Sequence, residues 1–352
     1  MKNKLLTVLA LTATLAPAPL AAQTPRETLL ALSKRDHTLA IVDPSTLKVI
    51  AKAPVGNDPH EVIASSDGKT AYVSNYGGGA YNTLAVIDLV GQKALPSIDL
   101  GALRGPHGLD FVGGKVWFTA EAAKAIGSYD PATQKIDWIL GTGQNRTHMI
   151  YVSNDLKHIF TTNVSSGTVS IIEKTPPRTG GGPPGTPPAG APGPPPGFGP
   201  PGGDWDQAVV KVGNGSEGFD VSPDGKEIWV ANAQEGTISI IDVASKKVTD
   251  TLNANVQSAN RLKFTPDGAR VFVAGLRMEN VIVLDAHTHK ELKEIKVGHG
   301  AAGIQMQPDG SRAFVASSPD NYVSVIDLKS LEVTGRIDVG TEPDGLAWAV
   351  RP

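Results

Sequence analysis

Three histidines and a glutamate in this chain occupy one recurring position. Short turns reading SSDGK, SPDGK, TPDGA and QPDGS punctuate the sequence, and their aspartate serves as a ruler. His60 stands seven residues before Asp67, His148 seven before Asp155, and Glu217 seven before Asp224. Where Gly-Gly replaces Asp-Gly, seven back from Gly114 is His107. The same count from Asp267 and Asp309 reaches Asn260 and Ala302, and aligning EPDGLAW with DPHEVIA puts Asp344 in the remaining slot. Three neutral imidazoles and a carboxylate suit a divalent cation at ligand distances of about 2 Å: zinc first, with manganese, iron or copper as alternatives. An ion with an open position polarises a carbonyl or activates water, which supports opening of a lactone or ester. The competing expectation is a wet polar channel in which these groups bond to water and backbone.

Other side chains join this expectation with smaller weight. His299 in VGHGAAG, or Asp344, is the candidate proton-transfer group beside the ion. Arg146, Arg261 and Arg277 offer guanidinium groups for a substrate carboxylate or phosphate. Tyr76 and Tyr81, in SNYGGGAYN, belong to an enlarged glycine-rich loop that could cap a ligand. His37 falls in a loop on the same face. His287 and His289, in DAHTHKE, fall in a turn on the opposite face and are assigned no chemistry.

For remote residues to meet, a repeat must close on itself. Seven apolar runs end in an acidic residue, at Asp43, Asp88, Asp130, Glu173, Asp242, Asp285 and Asp327, with spacings of 45, 42, 43, 69, 43 and 42. A period near 40 with four short strands per unit marks a propeller blade. Each unit reads as an apolar strand, an Asp-Gly turn that supplies positive φ, a second strand such as TAYVSN or EIWVAN, the acidic-ended third strand, and an outer strand. The chain opens inside a unit, at TLLALSKRD, and closes on an orphan first strand, EPDGLAWAV. Joining them completes a seventh blade and removes an open sheet edge. The expected fold is all-β: one seven-bladed β-propeller over residues 23–352, whose first strands line a central channel with the histidine column at its mouth.

The long gap has a visible source. Residues 175–204 are almost wholly Pro, Gly, Thr and Ala, a composition that neither packs nor forms ladders, and they read as a flexible insertion in a hairpin loop. Such a segment could also meet a protein partner.

The strings YVSN, WVAN, SPDGK and SIIDVASKKV resemble the YVTN-repeat, YncE-like seven-bladed propellers, across the whole chain apart from the leader and insertion. GPHGLDF, KVWFT and IGSYDPATQKI of blade three resemble streptogramin lyase repeats. The first resemblance implies the fold and the alternative function, a non-catalytic periplasmic scaffold for a ligand or protein. The second implies metal-assisted lactone opening, although lyase-like text is confined to one blade. Redox propellers fit less well: no CxxCH is possible, repeated docking tryptophans are absent from the text, and no cupredoxin domain is present.

Composition bounds the rest. The 352 residues contain no cysteine, so thiolate catalysis, Cys-ligated zinc and disulfides are excluded. Residues 1–22 read as a secretory signal peptide, with Lys2 and Lys4 ahead of an apolar stretch ending at Ala21 and Ala22. The expected location is therefore periplasmic or secreted, without a membrane span. A net charge of −3 with no basic block makes nucleic acid an unsuitable partner. A monomer binding a small molecule at the channel mouth is the expected state.

Overall fold

The computed structural model describes residues 24–175 and 205–352; residues 1–23, which include the expected signal peptide, and all of the Pro/Gly stretch except Thr175 lie outside the described residues. The described chain forms 28 strands in seven four-stranded antiparallel sheets. Blade 1 has the order β28 (Pro343–Val350), β1 (Glu27–Ser33), β2 (Thr38–Asp43), β3 (Lys48–Pro54), so the C-terminal strand is its innermost. Leu30 pairs with Ala347 across that seam, and the Arg351 N–H donates to the Arg26 carbonyl at 2.8 Å. The other blades each use four consecutive strands. Their inner strands are β4 (Pro59–Ala64), β8 (Pro106–Val112), β12 (Thr147–Val152), β16 (Ser216–Val221), β20 (Ala259–Phe264) and β24 (Ala301–Met306). Among the described residues no helix is long and apolar enough to cross a membrane.

Burial explains the architecture. Second and third strands such as TAYVSN and TLAIVD are enclosed on both faces, whereas outer strands such as KALPSID are largely exposed. Seven apolar clusters hold the ring, one between each pair of neighbouring blades, including blades 7 and 1. Each blade therefore buries its apolar faces only by having two neighbours, which makes closure a condition of stability. The turn aspartates act as local staples: Asp67 accepts from the Lys69 N–H at 3.1 Å and the Ser65 hydroxyl at 2.6 Å, while Gly68 supplies φ of 63°.

Two backbone features shape the hub. Every inner strand is entered through a left-handed residue, namely Asp58, Gly105, Arg146, Gly215, Ser258, Gly300 and Glu342, with φ between 49° and 73°. Every blade also breaks register where its inner strand begins, as between Pro59 and Val62 or Thr147 and Ile150. Such bulges re-aim side chains. Here the second residue of each strand reaches the channel mouth, and the third lies at the channel wall. Glycine fills that third position at Gly108, Gly218, Gly303 and Gly345, where an added Cβ would come within 2.2–2.5 Å of the next blade's carbonyl.

Candidate functional site at the hub

The second residues of the seven inner strands are His60, His107, His148, Glu217, Asn260, Ala302 and Asp344. The first four form a continuous chain of contacts in blade order. His60 Nδ1 lies 3.1 Å from His107 Nε2. The His107 and His148 rings are 3.8 Å apart between centroids, and His148 Nε2 lies 2.8 Å from Glu217 Oε2. Asp344 completes the arc on the other side, 3.8 Å from His60 Nδ1 and 3.3 Å from Lys34 Nζ.

A second column, which the Asp-Gly ruler does not reach, closes over the first. The residue just past each second strand is Lys34, Tyr76, Glu121, Val164, Ala233, Leu276 or Ser318. Glu121 bonds His148 Nδ1 through one oxygen and accepts from the Tyr76 hydroxyl at 2.5 Å through the other. The Tyr76 ring stands edge-on to His60 and His107, at 4.9 and 5.2 Å. The strand-entry residues add a third set: Asp58 lies 3.2 Å from His60 Nε2, and Arg146 spans Glu121 at 3.5 Å and Glu217 at 3.8 Å. Asp58 and Arg146 hold a backbone conformation that glycine adopts more cheaply, so their side chains are retained at a conformational cost. A sequence signal existed for Glu121 and Lys34: the strings FTA-E and ALS-K align with VSN-Y.

Beneath this layer, Glu61 of blade 2 pairs across the channel with Arg261 of blade 6. Asp110 and Asp220, further down, accept the Val152 and Phe264 N–H groups of the next inner strands at 2.8 and 2.9 Å. They tie inner strands together.

Protonation follows from these contacts. Burial pulls the His148 imidazolium down, but Glu217 and Glu121 on its two nitrogens outweigh that and lift its pKa above the ordinary value. His107 is driven the other way by burial, reinforced by His148 and His60, and is neutral. Burial alone would raise Glu217, yet His148 and Arg146 hold it at about 2. The His60 contact, opposed by burial, takes Asp58 to about 2. Burial and the bond to Glu121 push Tyr76 to about 12. His107 Nδ1 is buried with no partner among the described residues.

The donor set suits a cation, although its side chains bond to one another. Among the described residues no three imidazole or carboxylate groups form a ready-made metal cage. Yet His60 Nδ1 and His107 Nε2 lie at nearly the separation, about 3.3 Å, of two nitrogens sharing one tetrahedral ion. Two of the three imidazoles carry a carboxylate on their other nitrogen, the arrangement that orients metal-bound histidines. Five carboxylates, Asp58, Glu61, Glu121, Glu217 and Asp344, face three fixed cations, Lys34, Arg146 and Arg261. His148, whose raised pKa favours the imidazolium, supplies a further positive charge when protonated, which leaves a shortfall of one; when it is neutral the shortfall is two.

The remaining candidates are spread more widely. Arg277 lines a groove that begins at Glu217. Tyr81 is 40% exposed and packs over Gly77. The contacts of His299 are with Glu279 at 2.7 Å and Asp320 at 3.2 Å on the rim of blades 6 and 7, and its side chain is 61% exposed. His37 contributes its carbonyl to the Val55 N–H. His289, on the far face, meets Asp250 and the edge of Trp229.

No family model and no curated protein sequence matches the chain. Solved structures do. A functionally unknown protein from Desulfotomaculum acetoxidans is 14% identical with a TM-score of 0.70, over 92% of this chain and 99% of its own. A proposed 6-phosphogluconolactonase from Bacteroides uniformis gives the same identity and TM-score, over 92% of this chain and 100% of its own. Hydrazine synthase from Kuenenia stuttgartiensis is also 14% identical, with a TM-score of 0.62, over 82% of this chain and 89% of its own. At such identity the likeness shows the seven-bladed fold alone, which hosts unrelated activities.

Proposed function

We propose that this propeller is a metal-dependent enzyme, exported to the periplasm or beyond, that opens a lactone or ester, with His60, His107, His148 and Glu217 holding a divalent ion, zinc foremost. One observation carries the reading: neighbouring blades supply three imidazoles and a carboxylate in contact, with carboxylates behind two of the imidazoles and more carboxylates than fixed cations around them. When bound there, such an ion supplies Lewis acidity toward a carbonyl and lowers the pKa of water.

The surrounding residues have definable tasks. Asp58 and Glu121 fix the ring orientations of His60 and His148. His148 first, and Arg146 after it, offset the burial of Glu121 and Glu217 and favour their ionised forms. Tyr76, protonated throughout the physiological range, roofs the site and anchors Glu121. Asp344, next to His60 and charge-balanced by Lys34, is the placed carboxylate for proton transfer, whereas His299 is engaged on the rim. The structural neighbour described as a proposed 6-phosphogluconolactonase shares the fold and adds no residue-level support.

The test is metal analysis of gently purified protein followed by a lactone and ester panel with and without chelator. Stoichiometric metal and chelator-sensitive turnover are expected. Metal-replete protein inert toward the panel would make the chain a binding scaffold, and metal-free protein under replete conditions would remove the ion as well.

A further inference from the structure

A groove of about 830 Å³ runs outward from Glu217 between the top-face loops of blades 5 and 6. Its walls include Gln234 and Glu235, which follow the second strand of blade 5, and Asn255, Gln257 and Ser258, which precede β20. Arg277 borders it as well. Three glycines let these loops settle onto the face. A Cβ on Gly215 would meet Gln234 Cγ at 2.9 Å; on Gly236, the Val256 carbonyl oxygen at 3.0 Å; on Gly275, the Gln257 carbonyl oxygen at 2.4 Å. The groove is thus built into the backbone.

Its chemistry differs from the rest of the rim. Between blades 6 and 7, Glu279, Lys296, His299 and Asp320 are absorbed in pairs with one another. Between blades 2 and 3 the face is lined mainly by glycine and alanine. In the blade 5–6 groove, the side chains of Gln234, Asn255, Gln257 and Ser258 have no hydrogen-bond partner within the described protein, since the loop's contacts are made by backbone and by Asn253 and Glu235. Carboxamides both donate and accept, as hydroxyl groups do, and among the described residues no aromatic side chain lines the groove to favour a flat apolar ligand.

We propose that this groove is a binding subsite for a hydroxyl-rich molecule, whose polyol portion lies along Gln234 and Gln257 while its reacting carbonyl reaches the hub beside Glu217. The direction of binding rests on the hub reading above; the subsite itself does not. Two experiments keep these apart. In the first, glucitol, a polyol with no reacting group, is titrated into wild-type protein and into the double variant Gln234→Ala, Gln257→Ala, with binding followed by ligand-observed NMR. Saturable binding weakened about 10-fold or more in the variant is expected, because two hydrogen bonds to the polyol are lost. Absence of saturable binding to the wild type, or undiminished binding by the variant, overturns the subsite whatever the hub does.

In the second, glucono-1,5-lactone and γ-butyrolactone are compared as substrates of metal-loaded protein. The double variant should raise KM for the polyhydroxylated lactone about 10-fold with kcat unchanged, and leave the unsubstituted lactone unaffected. Equal effects on both substrates would overturn the assignment. If neither lactone turns over but glucitol binds as expected, the hub reading falls and the polyol subsite stands.

Discussion

The mouth of the channel has two unlike halves on one scaffold. Blades 1 to 5 deliver Asp344, His60, His107, His148 and Glu217 from their inner strands, and Lys34, Tyr76 and Glu121 from the column above. Blades 6 and 7 deliver Asn260, Ala302, Leu276 and Ser318 at equivalent positions. The backbone is the same in both: the left-handed entry residue and the register break occur in every blade, and wall glycines occur in both halves. The difference teaches that this repeat separates two kinds of position. Those that set strand spacing recur around the ring, while those that reach the mouth vary freely, because a side chain there contacts the hub and not the blade core.

Substitution can break this contrast. His107→Ala is expected to have the largest effect, with stoichiometric metal lost altogether, measured by elemental analysis after dialysis. Retention of full metal content would separate the histidine chain from metal binding. Glu121→Gln removes the carboxylate behind His148 and should lower metal affinity roughly 10- to 100-fold, read by competition with a chromophoric chelator. An unchanged affinity would reduce the second column to a roof.

Other measurements sharpen it. Gly108→Ala in the charged half and Gly303→Ala in the bland half press a methyl against a neighbouring carbonyl, and each should cost about 1–3 kcal/mol in chemical denaturation. A large inequality would deny that the scaffold positions are equivalent. Metal uptake should also depend on pH. Binding requires neutral His148, whose pKa is raised, so protons compete below that value and affinity should rise with pH by up to about tenfold per unit before levelling off. His107, with a lowered pKa, adds no competition near neutrality. The smallest effect belongs to Asn260→Ala, which deletes one hydrogen bond, from Asn260 Nδ2 to the Ala302 carbonyl at 3.2 Å. It should cost about 1 kcal/mol without altering metal content.

Much of this was legible before folding. The Asp-Gly turns served as a ruler because each fixes a hairpin end, and a fixed strand length then carries the count to the mouth. Lys34 and Glu121 escaped that count because they follow the second strand, although the same alignment of strand ends finds them. Glu61 and Asp58 were illegible for another reason. Strict alternation would turn Glu61 away from the face that His60 occupies, and only the register break allows both to reach the hub.

The sequence by itself determined the number of blades, the seam where the two chain ends pair, and the column that carries His60, His107, His148 and Glu217, since all three depend on periodicity and local turn chemistry. The tertiary structure alone decided who meets whom. Glu121 against His148 is a contact between neighbouring blades, and Glu61 against Arg261 is one across the closed ring. They follow from how seven twisted sheets pack around an axis and where each inner strand bulges, neither of which a periodic count encodes.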